Sequence, residues 1–291
     1  MASAAGSQAV DQQAPVFGGR SDSASVVPSA VLVDLDVAEL DAEVRLRVGP
    51  EQWRTRVELA AAYQLAARLG WTDHIFTHFS ARVPGHEGRF LINSFGLRFD
   101  EIRPSNLVEV DVHGEVLSDP LGLGHNLAGF VIHGAIHGAR PDAAAVLHTH
   151  TTSGVAVSAQ QDGLLMLSQH AARYWGRVAY HDFEGFAFDY SEQERLVAEL
   201  DDKRVLILRN HGLLTIGRSI GEAFQELYFL ERACAIQIAA QAGGQALIVP
   251  PESVLQKTAQ VYERSTGTAY TARIWDAFLR QIHAADVHAS T

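Results

Sequence analysis

The sequence predicts an α/β fold built on a mixed, largely antiparallel sheet. Three observations predict it. From about Trp53 to Gln241, stretches with helical spacing alternate with short apolar stretches of strand length. Several strand candidates are separated by turns too short for a helical crossover, which excludes a purely parallel sheet. Apolar residues make up 47% of the 291 residues and charged residues 20%, a soluble composition able to fill a sizeable core.

The elements follow in order. Residues 1 to about 28 are rich in Ala, Ser, Gly and Gln, and 29 to 50 lack clear periodicity, so 1–50 is expected to be mostly a disordered tail. Val57, Ala60, Ala61, Gln64, Leu65 and Arg68 fall at helical spacing before a stop at Gly70. Arg89 to Ile92 is a strand candidate, and Leu107–Val112 with Glu115–Leu117 reads as a hairpin around His113-Gly114. Ala128–Ala139 is an apolar helix, Ala143–Thr149 a buried strand, and Thr151–Gln160 a helix. Leu164–Leu167 and Val178–Phe183 are expected to be strands. Ser191 with Glu194 forms a capping box opening a helix to about Leu200. Val205–Leu208 and Leu213–Ile216 are strands flanking Asn210-His211-Gly212, and Ser219 with Glu222 opens a long helix. A catalytic domain over 51–245 and a helical C-terminal extension over 246–291 are expected.

Composition excludes several functions. Lys plus Arg is 23 against 34 for Asp plus Glu, a net charge of −11, which speaks against non-specific nucleic-acid binding. No apolar stretch approaches the ~20 residues of a membrane span, and Met1 to Val10 does not read as a signal peptide. Cys234 is the one cysteine, leaving no intrachain disulfide and no cysteine metal cluster. A cytoplasmic location is expected.

Histidine is the unusual count, at 14. His148 and His150 end the buried strand two residues apart, so both rings point to one face. His211 ends another predicted strand. Together they form a candidate three-imidazole metal site with open positions for water and substrate.

These residues also carry a resemblance. Arg140-Pro141-Asp142, Val146-Leu147-His148-Thr149-His150 and Leu208-Arg209-Asn210-His211-Gly212, in that order, resemble the signature of the class II aldolase/adducin family. Asn93-Ser94-Phe95-Gly96 is similar to its substrate-anchoring turn, and Thr77-His78-Phe79-Ser80 stands where it usually has a Gly-Asn-x-Ser phosphate loop. The resemblance covers about residues 50 to 245. It implies a class II aldolase-like three-layer α/β/α fold and one divalent metal on His148, His150 and His211. It also implies a small-molecule substrate and a homotetramer with sites between subunits. Ser94, Gly96, His78, Ser80 and Trp175 become candidate substrate-binding residues.

One departure stands out. Sugar-phosphate aldolases of the family carry an acid/base Glu at the position of Gly129, and Asn126 to Phe130 contain no carboxylate. His78 and Phe79 also replace the small pair of the phosphate loop. The expectation is therefore a metal-dependent enzyme cleaving a C–C bond in a 2-oxo or 2-hydroxy acid, of the Fe(II) oxygenase kind. The sequence is similar to the aminocoumarin-antibiotic oxygenases, which shorten prenylated 4-hydroxyphenylpyruvate through a mandelate to a prenylated 4-hydroxybenzoate, with dioxygen as co-substrate. The alternatives are a Zn(II) or Mn(II) class II aldolase-type lyase or decarboxylase, and a non-catalytic adducin-like scaffold. Glu184, His133 and Tyr174 are the candidate proton-handling residues. His133 and His137, four apart on one helix face, are candidates to steady a metal ligand. Trp71, Phe76, Phe95, Phe130, Tyr174 and Trp175 are candidates for an aromatic wall.

Overall fold

The structure, a computed structural model, describes residues 37–185 and 191–289. The tail expected over 1–36 lies outside the described residues. Helix α1 (Val37–Arg68) begins inside the segment expected to be tail and bends at Gly49-Pro50, where Gly49 takes φ 75°. Next come β1 (His78–Arg82), β2 (Arg89–Ile92), β3 (Val108–Asp111), β4 (Val116–Ser118), α2 (Leu127–Ala139) and β5 (Ala145–Thr149). They are followed by α3 (Thr152–Ser158), α4 (Gln169–Ala172), β6 (Val178–His181), α5 (Ser191–Leu200), β7 (Val205–Leu208) and β8 (Gly212–Gly217). Helices α6 (Ile220–Ala242), α7 (Glu252–Ser265) and α8 (Ala269–Ala289) complete the described chain.

The strands form one eight-stranded sheet in the order β4-β3-β2-β1-β5-β8-β7-β6. Only β6 and β7, joined through α5, run parallel; the other pairs are antiparallel. The fold is thus α/β with a mixed, largely antiparallel sheet. Side chains alternate across it. On one face Ala145, Leu147, Val205, Ile207 and Leu213 pack with Leu59, Tyr63, Phe224 and Leu227 of α1 and α6. On the other, Val146, Leu206, Leu208, Leu214 and Ile216 pack with Phe130, Val131 and Ile136 of α2 and Leu196 and Leu200 of α5. This is a three-layer arrangement with two apolar interiors. Trp275, Phe278 and Ile282 of α8 enter the first interior, so the C-terminal helices are part of the core.

One expected strand is absent, and one observed strand was not expected. Residues 164–167 are not a strand: Leu164 N–H donates to the Tyr180 hydroxyl (3.1 Å) and Leu165 N–H to Gln237 Oε1 (2.7 Å). Side chains thus satisfy backbone donors that a neighbouring strand would otherwise take. Conversely, β1 is a central strand that periodicity did not reveal. Its face toward α2 carries His78 and Ser80 where an apolar side chain would be looked for, and both are buried.

Candidate metal centre

Three strand ends build the site. In β5, apolar Ala145, Val146 and Leu147 fix the register, which brings His148 to the face covered by α2 and leaves His150 just past the end. Strand β8 pairs with β5 up to Leu213 opposite Thr149. The turn from β7 into β8 runs through Asn210 at φ 57°, a left-handed conformation that Asn tolerates better than most residues. Gly212 is required there, since a Cβ would lie 2.4 Å from the Thr149 carbonyl oxygen. That close approach carries His211 to the other two rings. The ring centroids lie 4.7 Å (His148–His150), 4.8 Å (His148–His211) and 4.8 Å (His150–His211) apart. One nitrogen from each falls within 4.8 Å of the others.

Hydrogen bonds fix which nitrogens face inward. His148 Nδ1 donates to the Leu213 carbonyl at 3.0 Å. His150 Nδ1 donates to Asp73 Oδ2 at 2.9 Å. Both hydrogens are thereby placed at Nδ1, yet the two Nε2 atoms stand 2.9 Å apart, lone pair toward lone pair. A cation shared between them makes that contact favourable. Nitrogens bound to one ion at about 2.0–2.1 Å stand roughly 2.9–3.4 Å apart, so the residues present fit a divalent metal. Burial first, then the neighbouring rings, lowers the His148 pKa well below the usual value and brings His211 down to about 4. The His148 and His211 rings are therefore neutral, the form a metal requires. Asp73 is a carboxylate backing a metal-facing His, and no sequence signal singled it out, because it comes from the loop after α1.

The structure brings some candidate residues to this centre and removes others. His78 adjoins it, with its ring 5.2 Å from that of His148. Glu184 lines a small cavity with His181, Phe183 and His211, and pairs with Arg195. His133, expected to handle protons, and Ser80, expected to bind substrate, are fully sealed. Ser80 Oγ lies 2.6 Å from His133 Nδ1 and 2.8 Å from His137 Nε2. Ser94 is also sealed, its hydroxyl donating to the Asn106 carbonyl at 2.5 Å, so it braces the turn that carries exposed Gly96. Tyr174 is not brought to this centre. Its buried hydroxyl donates to the Glu226 carbonyl at 2.8 Å, next to Arg173, which pairs with Glu226 and lies over the Phe229 and Tyr262 rings. Trp175 and Tyr174 line a separate cleft of about 520 Å³ that includes none of the three metal-facing histidines. Of the expected aromatic wall, Trp71 packs on Phe224 and Tyr228, and Phe130 is core. An aromatic ring beside the centre is that of Phe183, 55% exposed and 6.2 Å from His211, which no spacing pointed to.

Residues 57–238 match the Class II Aldolase and Adducin N-terminal domain. The chain belongs to the class II aldolase and adducin family. A crystal structure of an aldolase II superfamily protein from Pseudomonas syringae is 58% identical, with a TM-score of 0.81, covering 84% of this chain and 97% of that one. L-fuculose 1-phosphate aldolase from Glaciozyma antarctica is 28% identical with a TM-score of 0.72, covering 89% and 97%. Alpha-adducin of Rattus norvegicus is 45% identical over 193 residues, 65% of this chain but 26% of that protein. The family members named here span both an aldolase and an adducin. No described helix is long and apolar enough to cross a membrane.

Proposed function

We propose that this family member is a metal-dependent lyase of the class II aldolase type, acting on a C–C bond beside the carbonyl of a small 2-oxo or 2-hydroxy acid. The observation that carries this reading is the 2.9 Å approach of the His148 and His150 Nε2 atoms, with His211 completing the set. His148, His150 and His211 would hold the ion, which supplies Lewis acidity toward the substrate's carbonyl and carboxylate oxygens. Three neutral rings leave the ion's charge undiminished for an anionic substrate. The Leu213 carbonyl and Asp73 hold the ligand rings in one orientation, and Phe183 borders the opening.

The donor set favours zinc. Among the described residues the cluster of potential ligands is three histidines without a carboxylate, whereas manganese prefers oxygen ligands and the commoner non-haem iron site includes a carboxylate. None of the relatives above is named as an oxygenase, so neither the Fe(II) reading nor the antibiotic pathway gains support from them. The stretch where sugar-phosphate aldolases carry a phosphate loop is strand β1 here, with Ser80 sealed. This supports a substrate without a phosphate group. The homotetramer belongs to the same proposal and is checked by light scattering.

The test combines elemental analysis of purified protein with cleavage and condensation assays on 2-oxo acids and aldehydes, followed by NMR. About one zinc per chain and chelator-sensitive turnover are expected. Iron with oxygen uptake would restore the oxygenase reading. Protein without metal, indifferent to chelator, would overturn the enzyme and leave an adducin-like scaffold.

A further inference from the structure

Gly129 offers no side chain for proton transfer, yet its surroundings are filled. A Cβ at residue 129 would lie 2.2 Å from Cδ2 and 2.4 Å from Nε2 of His78. The His78 ring therefore stands where a side chain from 129 would begin, and only glycine admits it. Thr77, directly before it, is held at φ 68°, a strained conformation for a β-branched residue that persists where the surroundings impose it.

Behind His78 runs a buried chain of hydrogen bonds whose direction is determined. The Ala143 carbonyl can only accept, so His137 Nδ1, 3.1 Å away, carries a hydrogen. His137 Nε2 then accepts from the Ser80 hydroxyl at 2.8 Å. Having given its hydrogen, Ser80 Oγ accepts from His133 Nδ1 at 2.6 Å. His133 Nε2 in turn accepts from His78 Nδ1 at 2.9 Å. His133 and His137 each spend one hydrogen and one lone pair, and an extra proton inside the chain would have no acceptor. His78 Nε2 is left with a lone pair. Among the described residues no group hydrogen-bonds it, and it is not among the polar atoms sealed from solvent.

We infer that His133, Ser80 and His137 are positioning residues that lock His78 in its Nδ1–H tautomer, and that His78 Nε2 is the proton acceptor replacing the carboxylate absent at Gly129. The acceptor role rests on the lyase reading; the tautomer lock does not. In the step, the C–H bond beside the substrate carbonyl breaks and its electron pair stays on the substrate. An N–H bond forms at Nε2, and the same proton returns to carbon in the reverse direction. Passing it along the chain would place positive charge at His137, sealed and close to Arg82, whose Nη2 donates to the His137 carbonyl at 2.7 Å.

The tautomers can be read directly from long-range proton–nitrogen correlations of histidine-labelled, zinc-loaded protein, without substrate. His78, His133 and His137 are each expected to show a hydrogen on Nδ1 and a lone pair on Nε2. A hydrogen on His78 Nε2 overturns the inference. In Ser80→Ala, zinc is expected to remain at one per chain while the His78 pattern becomes mixed; an unchanged pattern overturns the positioning role. The acceptor role is read from deuterium entering the methyl group of pyruvate in heavy water. His78→Gln is expected to keep its zinc and exchange about 10²–10⁴-fold more slowly than wild type, and equal rates overturn it. No exchange in the wild type would overturn the lyase reading for 2-oxo acids, and the tautomer measurement would still decide the lock.

Discussion

Two groups of histidines adjoin across the middle of the sheet and are built to opposite ends. In the cluster of His148, His150 and His211, the outer nitrogens of the first two are tied to acceptors and the inner ones converge on one another. In the chain from His78 to His137 every inner nitrogen is satisfied, and only the last lone pair reaches outward. The residue type is the same, although His150 and His211 are half-buried while the chain is buried throughout. The decisive difference is whether acceptors and donors balance. An unbalanced cluster of lone pairs calls for a cation, whereas a balanced series holds a tautomer.

The sharpest way to break this comparison is to remove a ring from each group. His148→Ala should abolish zinc binding by elemental analysis, while His137→Ala should retain it. Loss of zinc in both would show that the two groups act as one.

Acid should act on the chain next. Burial, with Arg82 adding to it, brings the His137 pKa down to about 3 from 6.5. Below pH 6.5 the unfolded chain takes up a proton that the folded chain refuses, so stability falls as pH falls, until about pH 3. The slope is about 1.4 kcal/mol per pH unit for one such ring. His133, lowered mainly by burial, adds to it in the same direction. Denaturant unfolding of the metal-free protein between pH 7 and 4.5 measures this, and a flat profile would contradict the neutral chain.

Gly129→Ala presses directly on the His78 ring, which cannot swing away without breaking its bond to His133. A loss of about 1–3 kcal/mol in stability is expected, with zinc still bound. No loss would mean that the ring has room to move. The smallest effect should be Asp73→Ala, which leaves all three ligands and removes one orienting acceptor. Zinc affinity is expected to fall roughly 10–100-fold, measured by competition with a chelator.

The sequence by itself determined the alternation of elements, the two-apart histidines at the end of an apolar strand and the Asn-His-Gly turn, because spacing along one strand fixes which face a side chain takes. It determined that residue 129 has no carboxylate. Only the tertiary structure decided what stands in that space. The His78 chain joins β1 to α2 across more than fifty residues, and its polar face hid β1 from any apolar pattern. Asp73 and Phe183 reach the centre from loops, whose sequence has no period to read. Tyr174 and Trp175 looked suited to a site and were drawn elsewhere by packing. Periodicity records the partners an element meets along its own length; which donor finds which acceptor across the sheet is settled when the layers close.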